Sequence, residues 1–144
     1  MIWFNKKKNK NISSSPNDMT PLEVVTYLCA SIQLSDGDVD YEERKVWMNA
    51  ISLLFPEFSE KRADIFLQDA QIAINAKSNI ERLDYVSKIL ERIEVLLTVD
   101  QIKLLGPKLA ELIEADGIVM TSEMEIAKMV EKRLGISIIV DNDL

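Results

Sequence analysis

Apolar residues recur at helical spacing in about six segments of this chain, and residue types that mark helix termini bound most of these segments. The clearest segment follows Ser78 and Glu81, a capping-box pair, and continues with Leu83, Val86 and Ile89. The 144 residues include only four glycines and four prolines, too few for a turn-rich β protein. The sequence therefore predicts an all-α, single-domain bundle of about six or seven helices.

The capping signals and the apolar period also predict where the helices lie. Thr20, Pro21 and Glu23 give the first helix a cap, a proline at its first position and a capping-box glutamate. Proline disfavours a helix interior, so we expect a kink or two short helices at Gly106-Pro107. The last helix is expected to stop at Gly135. The predicted helices span about 21–34, 41–54, 59–75, 78–97, 98–112 and 122–134.

Charge and polarity divide the chain into a leader, a domain and a tail. Residues 1–19 are predicted to be a flexible basic leader, residues 20–136 the helical domain, and residues 137–144 a tail that docks on the domain or adds a short strand. Residues 1–20 carry a net charge of +3 and residues 21–144 carry −10. A body this acidic repels nucleic acid, so no nucleic-acid partner is expected.

Two further features of the sequence concern its environment. Ile2, Trp3 and Phe4 lie beside four lysines, which is compatible with contact with an anionic membrane surface or, the interpretation we favour, with a solvated leader. No apolar run approaches the length of a membrane-spanning helix, so the protein is not expected to span a membrane. The single cysteine, Cys29, lies among apolar residues and has no partner for an internal disulfide, which favours a cytoplasmic location.

A short acidic motif occurs twice, 80 residues apart. The stretch SDGDVDYEE at 35–43 aligns with ADGIVMTSE at 115–123, which pairs Asp36 with Asp116 and Glu43 with Glu123. Each copy lies between two predicted helices. The chain therefore resembles two related helix-turn-helix halves that are joined by the third and fourth helices.

Helix termini account for part of this motif without any ligand. Asp-Gly is common where a helix ends, and Asp40 with Glu43 forms an ordinary capping box. Capping explains Glu123 less well, because Met120 stands where Asp40 is in the first copy and Thr121 would have to cap instead. Moreover, Asp36 and Asp116 follow the C-terminal ends of helices, where the helix dipole disfavours a carboxylate and a bound cation would reverse that effect.

The composition restricts which cation such motifs would bind. The chain has no histidine and one isolated cysteine, so zinc is disfavoured, and oxygen ligands favour Ca²⁺, Mg²⁺ or Mn²⁺. An EF-hand starting at Asp36 fails, because Tyr41 occupies its glycine position and Trp47 its glutamate position. The candidate metal ligands are the four repeated carboxylates and two that occur in the first copy alone: Asp36, Glu43, Asp116, Glu123, Asp38 and Asp40.

The stretches SDGDVDYEERKVW and EADGIVMTSEMEIAKMVEKRLGI, with the helices around them, resemble the TerB-like domain of bacterial tellurite-resistance proteins and DjlA-type co-chaperones. The resemblance covers about residues 20–136. It implies a bundle of about seven helices in two similar halves, with paired acidic motifs that bind metal through the positions of Asp36, Glu43, Asp116 and Glu123. It also implies a role in stress response, a protein partner and assembly near membrane proteins, which extends the expected location to the inner-membrane surface.

The chain departs from that resemblance in the second motif and offers no catalytic set. Ile118 and Met120 replace Asp38 and Asp40, so the two halves are not expected to bind an ion equivalently. No histidine base and no phosphate-binding glycine loop is present, so neither catalytic residues nor an organic cofactor is expected. The alternative function is a protein-interaction or scaffolding domain without metal, in which the acidic motifs only cap helices.

Overall fold

The computed structural model describes residues 15–33, 41–115 and 121–139. These residues form helices and connections and include no strand, so the all-α prediction is confirmed. A 3₁₀ helix, Pro16–Asp18, precedes six α-helices, which we number in chain order. They are α1 (Pro21–Gln33), α2 (Tyr41–Leu54), α3 (Glu60–Asn75), α4 (Asn79–Leu96), α5 (Val99–Ala115) and α6 (Thr121–Leu134).

Helix α1 lies at the centre of the bundle. Every residue from Val24 to Ile32 is buried, and α1 packs against each of the other five helices. A helix that is apolar on all sides is stable only when it is enclosed in this way. Its two buried hydroxyls are satisfied within the helix, because Thr26 donates to the Leu22 carbonyl and Ser31 to that of Tyr27, each at 2.8 Å.

The helices begin where the sequence places capping residues. The Ser78 hydroxyl accepts a hydrogen bond from the Glu81 amide, and the Glu81 carboxylate accepts one from the Ser78 amide. Thr20 with Glu23 and Thr98 with Gln101 form the same reciprocal pair. Local side-chain chemistry therefore fixes the starts of α1, α4 and α5.

Helix α5 is continuous through Pro107, so the predicted alternative of two short helices at Gly106-Pro107 is wrong. Leu105, Leu109 and Leu112 lie on the same buried stripe on both sides of the proline, each about 1% exposed. Proline in a helix interior costs ~3 kcal/mol. Burying each of these large side chains contributes ~1.5–3 kcal/mol, so together they outweigh the cost of one continuous helix.

The packed part of the chain begins before Thr20. Met19 is 1% exposed, and its carbonyl accepts hydrogen bonds from Nε and Nη2 of Arg92, both at 3.2 Å. The 3₁₀ helix that precedes Met19 packs against α4. Residues 1–14 of the predicted leader lie outside the described residues.

The segment that follows α6 docks on the bundle and forms no strand over residues 136–139. Gly135 ends α6 with a positive φ of 67°, a conformation that favours glycine. Ile138 is then buried, and its amide donates to Oε2 of Glu131 at 2.7 Å. The segment crosses α5 at Gly106, where the carbonyl of Ser137 lies against the glycine.

Candidate functional site

The structure describes none of the predicted metal-ligand side chains. Glu43 and Glu123 lie in α2 and α6, but their side chains are outside the description. The aspartates of both motifs belong to the connections 34–40 and 116–120, which also fall outside the described residues: Asp36, Asp38, Asp40 and Asp116. What the structure does give is the placement of the helices that enter and leave each motif.

The two repeated glutamates occupy the same position in their helices. Helix α2 begins at Tyr41 and α6 at Thr121, so Glu43 and Glu123 are each the third helical residue. The position before the helix belongs to Asp40 in the first copy and to Met120 in the second. Thr121 is already the first helical residue, so only the first copy has a capping residue type ahead of its glutamate.

Helices α1 and α4 run antiparallel. Met19, just before α1, is bound by Arg92 near the end of α4. Further along, the rings of Tyr27 and Tyr85 meet with their centroids 6.3 Å apart. Both helices rise by ~1.5 Å per residue, so the end of α1 at Gln33 lies beside the start of α4.

Helices α4 and α6 run parallel. Residues near the two helix starts line one small cavity of ≈ 70 Å³: Asn79, Arg82 and Leu83 from α4, with Glu125 and Ile126 from α6. Towards the other ends, Nη1 of Arg133 donates to Ser87 at 2.8 Å, and Nη2 lies 3.6 Å from a carboxylate oxygen of Glu91. The start of α6 therefore lies at the same end of the bundle as the end of α1.

Helices α2 and α5 run antiparallel to each other. Nε2 of Gln101, near the start of α5, donates to the carbonyl of Leu54, the last residue of α2, at 3.4 Å. Helix α2 packs extensively on α5, so its start lies towards the end of α5. Only the five residues 116–120 join the end of α5 to the start of α6, too few to run back along the ~25 Å length of α5, so these two termini lie at the same end. The four helix termini that flank the two motifs are therefore at one end of the bundle, which we call the acidic end: Gln33, Tyr41, Ala115 and Thr121.

Two arginines near the acidic end differ in their surroundings. Arg44, in the first turn of α2, is held by Asp64 of α3 through Nε at 3.0 Å and Nη2 at 2.9 Å. Its charge is thus directed towards α3. Arg82 borders the small cavity between α4 and α6, and its Nε is buried without a hydrogen-bond partner. A buried donor of this kind is costly. It was not predictable from the sequence, because it arises from the contact between two helices that are far apart along the chain.

Two buried tyrosines, Tyr27 and Tyr85, have raised pKa values. Burial raises the pKa of Tyr27 to about 12, with smaller effects from Asp69 and Glu23. Burial also raises the pKa of Tyr85, and Lys77 lies over that ring with Nζ 4.3 Å from the centroid. Both phenols therefore stay neutral near pH 7, which is unlike a general base whose pKa is tuned towards the working pH.

Within the described ranges, no three Cys, Asp or Glu side chains come together where they would hold a metal ion. None of the helices in those ranges combines the length and apolar character that a membrane crossing requires. Comparisons of the chain with protein-family models, with curated proteins and with solved structures give no match. Inference about function therefore depends on the residues and on the placement of the helices.

Proposed function

We propose that the protein is a non-enzymatic helical domain that binds a hard divalent cation, Ca²⁺, Mg²⁺ or Mn²⁺, at its acidic end. The observation that carries this proposal is the common location of the four helix termini that flank the repeated motifs. Two motifs at opposite ends of the bundle would exclude a shared site. Motifs at one end allow carboxylates from both to coordinate the same cation.

The repeated positions favour a shared role for Asp36, Glu43, Asp116 and Glu123. The matching helical positions of the two glutamates support this choice. Hard cations prefer carboxylate and carbonyl oxygens, and the C-terminal ends of α1 and α5 bring both kinds of ligand to this end. Asp38 and Asp40 occur only in the first motif, so a site that holds a single ion is expected to use that motif.

The wider role that we propose is that of a TerB-like domain in a stress-response assembly. Its support is the repeated Asp-Gly-x-Val-x-x-x-Glu sequence and a helical bundle in which α3 and α4 connect, along the chain, the helices α1 and α2 around the first motif to the helices α5 and α6 around the second. In this role the domain would act in the cytoplasm with a protein partner at the inner-membrane surface. Tellurite is not implicated by any residue of the chain.

Calorimetric titration of the full chain with Ca²⁺, Mg²⁺ and Mn²⁺ tests the cation proposal. The expected result is saturable heat with at least one ion and a matching rise in melting temperature, since ligands that bind only the native state stabilise it. Asp36→Asn/Asp116→Asn should abolish both signals. The matched control is Glu94→Gln/Asp100→Asn. It also removes two negative charges, but from the end of α4 and the start of α5, which lie far from the acidic end.

The outcome of that titration separates specific binding from general attraction to an acidic protein. Equal loss of heat in both double variants would indicate that net charge alone draws the ion. The absence of heat and of any thermal shift in the wild-type chain would overturn the cation proposal.

The second candidate is a protein-interaction domain in which the acidic motifs only cap helices. The third helical position of Glu43, three residues after Asp40, favours it, because this is the spacing of a capping box. This function predicts that Glu123→Gln lowers the free energy of unfolding by ~0.5–2 kcal/mol at most and changes nothing else. Loss of ion-dependent stabilisation in Glu123→Gln would contradict it.

A further inference from the structure

An aromatic groove lies at the end of the bundle opposite the acidic end. It has a volume of ≈ 350 Å³ and is formed where the start of α1, the end of α2 and the start of α3 meet. Three phenylalanines, Phe55, Phe58 and Phe66, line it together with Pro21 and Leu22. All three phenylalanines are only partly buried, so their rings remain accessible.

The groove has polar groups at its rim. Arg62 is exposed and lies over the ring of Phe66, with Cζ 5.9 Å from the centroid. Glu57 lines the groove as well and is exposed. Two more carboxylates adjoin rim residues, because Glu23 accepts hydrogen bonds from Thr20 and Glu60 follows Ser59. Lys61, between Glu60 and Arg62, is exposed as well. The charged groups at or beside the rim are therefore three carboxylates and two cations, a small excess of negative charge around three phenylalanines.

We propose that the apolar stretch Ile2-Trp3-Phe4 of the same chain occupies this groove. Aromatic side chains that pack on one another are stabilised beyond the effect of the area that they bury. The stretch is followed by Lys6, Lys7, Lys8 and Lys10, whose charges complement the carboxylates at the rim. The contact is an intramolecular interface, distinct from the acidic end and independent of the proposed cation.

The length of the chain allows this contact. Ten residues lie between Phe4 and Ser15, the first described residue, and the eleven Cα–Cα steps from Phe4 to Ser15 span ~36–40 Å when the chain is extended. A domain of this size has a radius of gyration of ~14 Å, so the groove is within reach from Ser15. Attachment through a short linker also gives an effective concentration on the order of millimolar, which favours the chain's own segment over a separate ligand.

The consequence is that the leader and the groove cover each other. The aromatic residues beside the lysines are withheld from other surfaces while they lie in the groove.

Fluorine NMR of the full chain labelled with 5-fluorotryptophan tests the contact. The chain has two tryptophans, Trp3 and the fully buried Trp47, and Trp3→Phe assigns the two resonances. The Trp3 resonance is expected to differ from its position in urea and to show a smaller H₂O/D₂O shift than the unfolded chain. Phe58→Ser and, separately, Phe66→Ser should return it to the unfolded position.

Two further variants keep the result interpretable. Ile72→Ser alters an apolar residue of α3 that is 72% exposed and does not line the groove, so it should leave the Trp3 resonance unchanged. Ile2→Ser/Phe4→Ser changes the leader alone and should release Trp3 without affecting the helical circular dichroism. A Trp3 resonance at the unfolded position in the wild-type chain would overturn the proposal. So would a displaced resonance that returns to the unfolded position on dilution, because that contact is between two molecules.

Discussion

The carbonyl oxygen of Ser137 lies so close to Gly106 that a Cβ atom at this position would collide with it. Glycine is therefore required in the middle of α5 by the segment that crosses it. Alanine is favoured over glycine in a helix by ~1 kcal/mol, yet we expect Gly106→Ala to lower the free energy of unfolding by ~1–3 kcal/mol. Urea denaturation of both proteins measures the difference.

The sign of this effect should depend on the crossing segment. In a chain shortened after Gly135, the contact with Ser137 is absent, and Gly106→Ala should then be neutral or stabilising by ~1 kcal/mol. The coupling free energy follows from the four proteins of the double-mutant cycle. If alanine is equally destabilising in both backgrounds, the collision with Ser137 is not its cause.

Removal of the Arg92 guanidinium should loosen the start of the packed chain. Arg92→Met keeps most of the side-chain length but leaves the buried carbonyl of Met19 without its two donors. A buried acceptor without a partner costs ~1–3 kcal/mol, so the free energy of unfolding should fall by that amount. Proteolysis should also become faster around Pro16–Asp18.

The matched control for this substitution is Lys88→Met in the same helix. Lys88 is largely exposed and pairs with Asp84 at the surface, so Lys88→Met should change the free energy of unfolding by no more than ~0.5 kcal/mol. Equal effects of the two substitutions would show that the Met19 contact has no special role.

The capping box of α4 should make the free energy of unfolding depend on pH in the acidic range. The hydrogen bond from the Ser78 amide is the largest cause that holds the pKa of Glu81 below its ordinary value of 4.5, with a second contribution from the Ser78 side chain. A lowered folded-state pKa stabilises the protein above the unfolded value, and this contribution is lost as the pH falls through the folded value.

Glu81→Gln is the variant that isolates this titration. Its free energy of unfolding should lie below that of the wild-type chain at neutral pH, and the gap should close as the pH falls below 4.5. Urea denaturation in steps of pH measures the gap, with Glu94→Gln as the control on the exposed face of the same helix. A gap that is constant over this range contradicts the assignment.

The only thiol should report on the opening of the core. Cys29 lies in α1, is 3% exposed, and burial raises its pKa to about 12. Since the thiolate is the reactive form, DTNB should label Cys29 of the native protein far more slowly than the chain in urea. An added cysteine at the exposed Asn75 should react at once, and equally fast labelling of Cys29 would contradict its burial.

The sequence was sufficient for the local parts of the fold. Capping residues fix helix starts within a few positions, so Ser78 and Thr98 identify the starts of α4 and α5 before any tertiary contact is known. The continuity of α5 was not predictable in this way. It depends on the burial of leucines on both sides of Pro107. The neighbouring Gly106 is required by the carbonyl of Ser137, which is about thirty residues away in the sequence.

The residues of the candidate site were predictable from the sequence, but their arrangement was not. The self-alignment finds Asp36, Glu43, Asp116 and Glu123 from sequence alone. Their common location cannot be deduced from it, because it follows from the antiparallel packing of α1 on α4 and the parallel packing of α4 on α6. The contacts that reveal this packing, such as those of Arg92 and Arg133, join residues far apart in the sequence and carry no local signal.

The central position of α1 means that the repeated halves are not separable modules. Although the motifs recur, the first helix of one half also forms a wall for both helices of the other half, α5 and α6. A fragment ending after α3 would leave one side of α1 uncovered, and a fragment starting at α4 would lack its central helix. The slowest-exchanging amides of α2 and α6 should therefore exchange through the same global unfolding event as those of α1, so the duplicated chain behaves as one cooperative unit.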